Sequence, residues 1–284
     1  MHLSHRGEGA FAPRLKLLNE VMNQCDMDSL MHLAQTSTFN WMTVRHHIYL
    51  RKWLLADHFF NDPDSFYKML SDCCAGFSGS AALLLLLPAA NCTWMPNDMD
   101  LYSPASGYCR MKDWLLQEGF SVVWGRKQET SGYHHSEISM MVKFTNGHWN
   151  VDVVLSKTEA ALAPVFKFHS TAVMNFVGGN VIFCAYPQLT FQYHARVNPA
   201  VAYSGNMGMD TMDALRKYGL CGFHYVGWPE RERMVPDAPY QTRAVTNRFS
   251  MWLNTRPWHA QQFLIKTSGE NLVSWMLNGT WGVR

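Results

Sequence analysis

Three aspartates and a glycine-serine pair carry most of the chemistry this chain offers. Asp98 and Asp100 stand two apart in Asp98-Met99-Asp100-Leu101, and Asp152 is the lone charge in Val151-Asp152-Val153-Val154. Residues two apart in a strand share a face, so the first two carboxylates point the same way. A carboxylate inside an apolar strand is costly unless it meets a metal or a cation. If the two strands are neighbours, all three carboxylates converge. A divalent ion is the usual relief, because Mg²⁺ accepts one or two carboxylates and keeps positions for substrate phosphates. Upstream, Gly79-Ser80 ends a strand and opens a helix, a turn whose N–H groups and hydroxyl receive phosphate. Together these are the parts of a phosphoryl or nucleotidyl transfer site. A structural alternative pairs Asp152 with a basic side chain such as Lys143. Lys143, Arg216 and Lys217 are also placed to touch phosphate.

The elements that must position these residues follow from periodicity and turn residues. From Arg14 to Phe60 apolar residues recur at helical steps (Leu15, Leu18, Val21, Met22; Leu30, Leu33, Ala34), with Asp28 or Ser29 as the cap of a second helix. Asn61-Asp62-Pro63-Asp64 marks a turn and a fresh helix start, which puts a boundary near residue 60. Beyond it the texture becomes mixed. Ala75–Ser80 reads as a strand, Ala81–Leu87 as a helix and Asp98–Tyr102 as a strand. Met111–Glu118 reads as a helix stopped by Gly119, and Phe120–Trp124 as a strand. Ile138–Phe144 and Trp149–Leu155 flank Asn146-Gly147, a hairpin signal. Further on, Val181–Tyr186 reads as a buried strand, Leu189–Arg196 and Thr211–Tyr218 as helices, and Pro229–Pro239 as a loop. The sum is an α+β (mixed α/β) fold: a mixed sheet flanked by helices, with a helical segment over 1–60 and the α/β part over 61–284.

Composition narrows the function classes. With 284 residues, of which 48% are hydrophobic and 16% charged, the chain can bury a core without staples. The net charge is +2 with no long basic run, so any nucleic-acid or other polyanion contact is local. Seven scattered cysteines without a CxxC spacing argue against a disulfide framework or a cysteine zinc site. The opening residues lack a signal-peptide core, and the most apolar run, Ala81–Ala90, is too short to span a bilayer. These features predict a protein of the cytoplasm or nucleus, neither secreted nor membrane-bound. His46-His47 and His134-His135 are adjacent pairs whose rings point apart, which fits packing better than a shared ion. His169-Ser170 lacks an acid at motif spacing, and Ser78-Gly79-Ser80 lacks the Gly-x-Ser-x-Gly frame, so hydrolase chemistry is set aside.

The order Gly79-Ser80, helix, Asp98-x-Asp100, later strand with Asp152 resembles the nucleotidyltransferase superfamily related to DNA polymerase beta, over about residues 75–156. That resemblance implies a nucleotidyltransferase-like sheet. Gly79 and Ser80 would hold the triphosphate of a nucleoside triphosphate, and Asp98 and Asp100 would bind Mg²⁺. Asp152 would complete the metal site and help to deprotonate an acceptor hydroxyl. The stretch from Ser80 to Asp98 is longer than usual in that family, contains Pro88 and Pro96, and lacks the Arg and Thr that often precede the Asp pair. The N-terminal helices, with Leu30-Met31-His32-Leu33-Ala34-Gln35-Thr36-Ser37, resemble an F-box, and Ala12-Pro13 stands where Leu-Pro is usual. That resemblance implies docking of residues 14–58 on the adaptor subunit of a cullin-type ubiquitin ligase. The combination is similar to proteins of mushroom-forming fungi. Two functions follow as expectations: a Mg²⁺-dependent nucleotidyltransferase, or a non-catalytic adaptor with an inactive fold of that type.

Overall fold

The computed structural model describes residues 8–127, 137–202, 208–227, 243–244, 249–255, 273–275 and 282–283. Four helices come first: α1 (Glu8–Asn23), α2 (Met27–Ala34), α3 (Thr38–Asp57) and α4 (Pro63–Asp72). Side-chain caps set three of their starts. The Asp26 carboxylate accepts from Ser29 N at 2.8 Å, Ser37 Oγ from Asn40 N at 3.1 Å, and Asp62 from Ser65 N at 2.9 Å. The cap of α2 is thus Asp26, earlier than Asp28 or Ser29, because Met27 is itself buried in the core and belongs to the helix.

The remaining elements, in chain order, build three sheets and their covering helices. They are β1 (Gly76–Phe77), α5 (Gly79–Leu86), β2 (Asp98–Ser103), α6 (Tyr108–Gln117), β3 (Ser121–Lys127), β4 (Ile138–Thr145), β5 (Asn150–Ser156), β6 (Asn175–Gly178) and β7 (Val181–Cys184). After these come α7 (Pro187–Thr190), β8 (His194–Ala195), α8 (Pro199–Ala202), α9 (Met209–Leu220), β9 (His224–Tyr225), β10 (Arg243–Ala244), β11 (Met251–Asn254), β12 (Val273–Trp275) and β13 (Gly282–Val283). The main sheet has eight strands in the order β11-β7-β6-β1-β2-β5-β4-β3. Among the described residues only β2 and β5 run parallel within it, so the sheet is mixed and the fold is α+β with N-terminal helices.

Strand alternation divides the central strands into two faces. Met99, Leu101, Val142, Phe144, Val151 and Val153 are buried on one of them, in the same apolar cluster as Met22, Leu30, Ile48 and Leu55 of the N-terminal helices. The core therefore runs without a break across the turn at residues 61–62. Helix α5 is apolar all round, which fits burial on every side. Its C-terminal carbonyls are satisfied by α3: the Arg51 guanidinium donates to Leu84 O at 2.6 Å and to Leu87 O at 2.7 Å.

Departures from the sequence reading have local causes. The helix expected over Leu189–Arg196 is cut to α7, since Tyr193 has a positive φ of 55° that turns the chain into β8. The β4–β5 connection spans Asn146–Trp149, and Asn146 Oδ1 accepts from His148 N and Trp149 N while Gly147 takes a positive φ. Pro229–Pro239 lies outside the described residues. The seven cysteines, all among the described residues, are in no disulfide. Among the described residues no helix is long and apolar enough to cross a membrane.

Candidate active site

The site is built where β2 and β5 run side by side with α5 opening above them. Parallel pairing places Asp98 against Asn150 and Asp100 against Asp152, so the two carboxylates are direct neighbours on one face. The antiparallel register of β4 and β3 extends this row to Lys143 and Trp124, and the row at Asp98 to Thr145 and Ser121. One step further along, Tyr102 and Val154 are buried in an apolar cluster with Ala161 and Val165, which closes that end of the face. The face changes from charged to apolar within four residues of each strand.

Gly79 explains why the turn that opens α5 lies against the carboxylates. Its φ is +68°, a region that suits glycine, and a Cβ built there would stand 2.7 Å from Asp100 Oδ2. Ser78 N donates to Asp100 O at 3.1 Å, while the Ser78 hydroxyl reaches the carbonyls of Val173 and Asn175. The loop is thereby tied to β2 on one side and to β6 on the other. Ser80 is buried and lines a cavity of about 440 Å³ with Trp94, Pro96 and Asn97 from the approach to β2, and Arg216 and Lys217 from α9.

Electrostatics mark Asp100 and Asp152. Burial, then the charges of Asp98 and Asp152, push the Asp100 carboxyl up to about 7, against the opposing pull of Lys217 and Lys143. Asp152 is raised by burial and by Asp98 and lowered by Lys143. Its Oδ1 is buried without a hydrogen-bond partner. Lys143 sits opposite Asp152 in the register, yet among the described residues no ion pair joins Asp152 to a cation. Lys217 Nζ stands 3.7 Å from Asp98 Oδ1, with both side chains roughly half exposed, so this pair contributes little to stability.

Whether these groups suit Mg²⁺ is decided by their donors. All are hard carboxylate oxygens, one is an orphan, and their mutual repulsion is what a divalent cation relieves. Asp100 and Asp152 pair across the strands with Asp98 two residues along β2, and among the described residues no three His, Cys, Asp or Glu side chains are gathered into a ready metal-ligand group. The donor set fits Mg²⁺ through the adjacent Asp100–Asp152 pair, with Asp98 on the same face.

Tyr218 carries no sequence signal at this site, and His169 enters the sequence reading only as a hydrolase candidate that is set aside. Tyr218 is buried, with its hydroxyl 3.8 Å from the point where a Gly79 Cβ would stand; burial and then Asp100 and Asp98 push its hydroxyl far above the ordinary phenol range. His169 lies 5.8 Å from the Tyr218 ring between centroids; its Nδ1 is buried without a partner, and burial lowers the imidazole to about 4. No spacing signals either, because α9 and the chain at 169 meet β2 only in the tertiary fold. His46 is exposed, while its neighbour His47 is buried with Nδ1 3.3 Å from Asn19 Oδ1, a packing role. His134-His135 lies outside the described residues.

No protein-family model matches the chain, and neither a curated protein nor a solved structure matches it.

Proposed function

We propose that this chain is a nucleotidyltransferase, which moves a nucleotide from a nucleoside triphosphate to a hydroxyl acceptor. The observation that carries the reading is the in-register pairing of Asp100 with Asp152 on neighbouring parallel strands, with Gly79 against Asp100. Bound Mg²⁺ would neutralise charge on the triphosphate and hold it in line with the acceptor. Asp98, Asp100 and Asp152 would hold that ion. The N–H groups at the start of α5 and Ser80 would receive the β- and γ-phosphates, with Arg216 and Lys217 across the cavity adding positive charge. The acceptor oxygen bonds to the α-phosphorus, the bond from that phosphorus to the bridging oxygen breaks, and pyrophosphate leaves. The hydroxyl proton passes to Asp152, whose orphan oxygen has a free lone pair. Catalysis of this kind is mostly positioning and charge neutralisation.

The test uses the purified chain, Mg²⁺ and α-labelled nucleoside triphosphates in an extract of candidate acceptors. Label transfer in the parent should fall at least about a hundredfold in Asp98→Ala and Asp100→Ala. Equal transfer by parent and variants would overturn the assignment.

One observation favours the adaptor reading as a second function of the same chain: α1 and α3 leave Leu17, Val21, Leu50 and Leu54 exposed. In contrast, Leu30 and Ala34 of the F-box-like stretch are buried in the chain's own core. Docking on a ubiquitin-ligase adaptor would therefore use the exposed set.

A further inference from the structure

A second cavity, of about 980 Å³, lies between α2, α3, α4, the β6–β7 turn and β11, and shares no lining residue with the α9 cavity beside the carboxylates. Its size is near the upper end for pockets that hold small organic ligands. Trp41, Tyr49, Trp53 and Tyr67 contribute aromatic walls. Lys52 contributes a cation that is only 6% exposed.

Lys52 is held on three sides. Its ammonium donates to Gly179 O at 2.9 Å and to Thr255 Oγ1 at 3.4 Å, and sits 4.2 Å above the Tyr67 ring centroid. An ammonium has three N–H donors, so one is left without an acceptor among the described residues. Among the described residues no carboxylate pairs with it, and burial alone lowers the group to about 7. Asp64 is, among the described residues, the sole carboxylate lining the cavity, and it accepts from Tyr49 at 3.3 Å. Lys68 is paired with Asp72 at 2.7 Å, while Arg45 and Lys52 also line the space. Arg45 stacks over Trp41 at 4.4 Å.

A buried cation lacking a counter-charge, beside an aromatic-walled space, is complementary to a flat molecule bearing one negative group. We propose that this cavity binds a small aromatic carboxylate, with its anionic group on Lys52 and its ring against the aromatic walls. The cavity is independent of the triphosphate reading, because neither its residues nor the test below involves the aspartates.

The test is calorimetric titration of the full chain at neutral pH with benzoate, indole-3-carboxylate and naphthalene-2-carboxylate, alongside the uncharged alcohol of each ring. At least one carboxylate should bind saturably with Kd below about 1 mM. The matching alcohol should bind at least about tenfold more weakly, a difference of about 1.4 kcal/mol. Lys52→Met, which keeps the stem and drops the charge, should lose the same factor with its cooperative melting retained. Should that variant fail to fold, Arg45→Gln at the cavity wall should weaken binding several-fold. Absence of saturable binding by every carboxylate overturns the proposal. So does equal affinity for acid and alcohol, or unchanged affinity in the folded variants.

Discussion

Asp100 is held by its surroundings far from an ordinary carboxyl. Burial and two neighbouring carboxylates raise its carboxyl to about 7 from an ordinary 3.8, so over that interval the native chain keeps a proton that the unfolded chain has lost. Stability from this group is fully present below the unfolded value and is lost as pH rises through about 7. Lys217 and Lys143 oppose the shift, while Asp98, Asp152 and the buried Tyr102 and Tyr218 surround it. Asp100→Asn cannot ionise and escapes the loss. Its melting temperature relative to the parent should therefore climb between about pH 5 and about pH 8, by several degrees. A constant difference across that range, measured by scanning calorimetry, would show that Asp100 titrates like an exposed carboxyl.

At the scale of elements, α3 steadies α5, and with it the Gly79-Ser80 turn, from a distance. Arg51 closes the C-terminal carbonyls of α5, and α5 carries Gly79 and Ser80 at its other end. Arg51→Met leaves the Leu84 and Leu87 carbonyls unpaired, and should cost about 1–3 kcal/mol in urea unfolding. No change would mean that water takes over both bonds. Such ties explain what the sequence could and could not disclose. The two-residue step from Asp98 to Asp100 and the apolar setting of Asp152 are local, so the shared face and the buried charge were readable. The parallel register that sets Asp100 against Asp152 joins segments some fifty residues apart and has no local signature. Strand β6 is buried at all four positions and is too short to alternate. Lys52 looks like any charged residue on a helix, and its burial comes from the β6–β7 turn and from Thr255 far along the chain.

Taken whole, the molecule is organised around a sheet with two unlike faces. One is covered by the N-terminal helices through a single apolar cluster that joins Leu30 and Ile48 to Leu101 and Val153. The other presents carboxylates, the α5 turn and the basic residues of α9. A ligand that binds only the native state raises its melting temperature, and the proposed nucleotide with its divalent ion would do so by relieving Asp100 and Asp152. The decisive measurement is the thermal shift of the full chain at about pH 8 with each nucleoside triphosphate, with MgCl₂ or with EDTA, in parent and Asp100→Asn. The account predicts a rise of several degrees for the parent with at least one triphosphate and Mg²⁺, lost both in EDTA and in the variant. A parent that no triphosphate stabilises, or a variant stabilised as much as the parent, would contradict it.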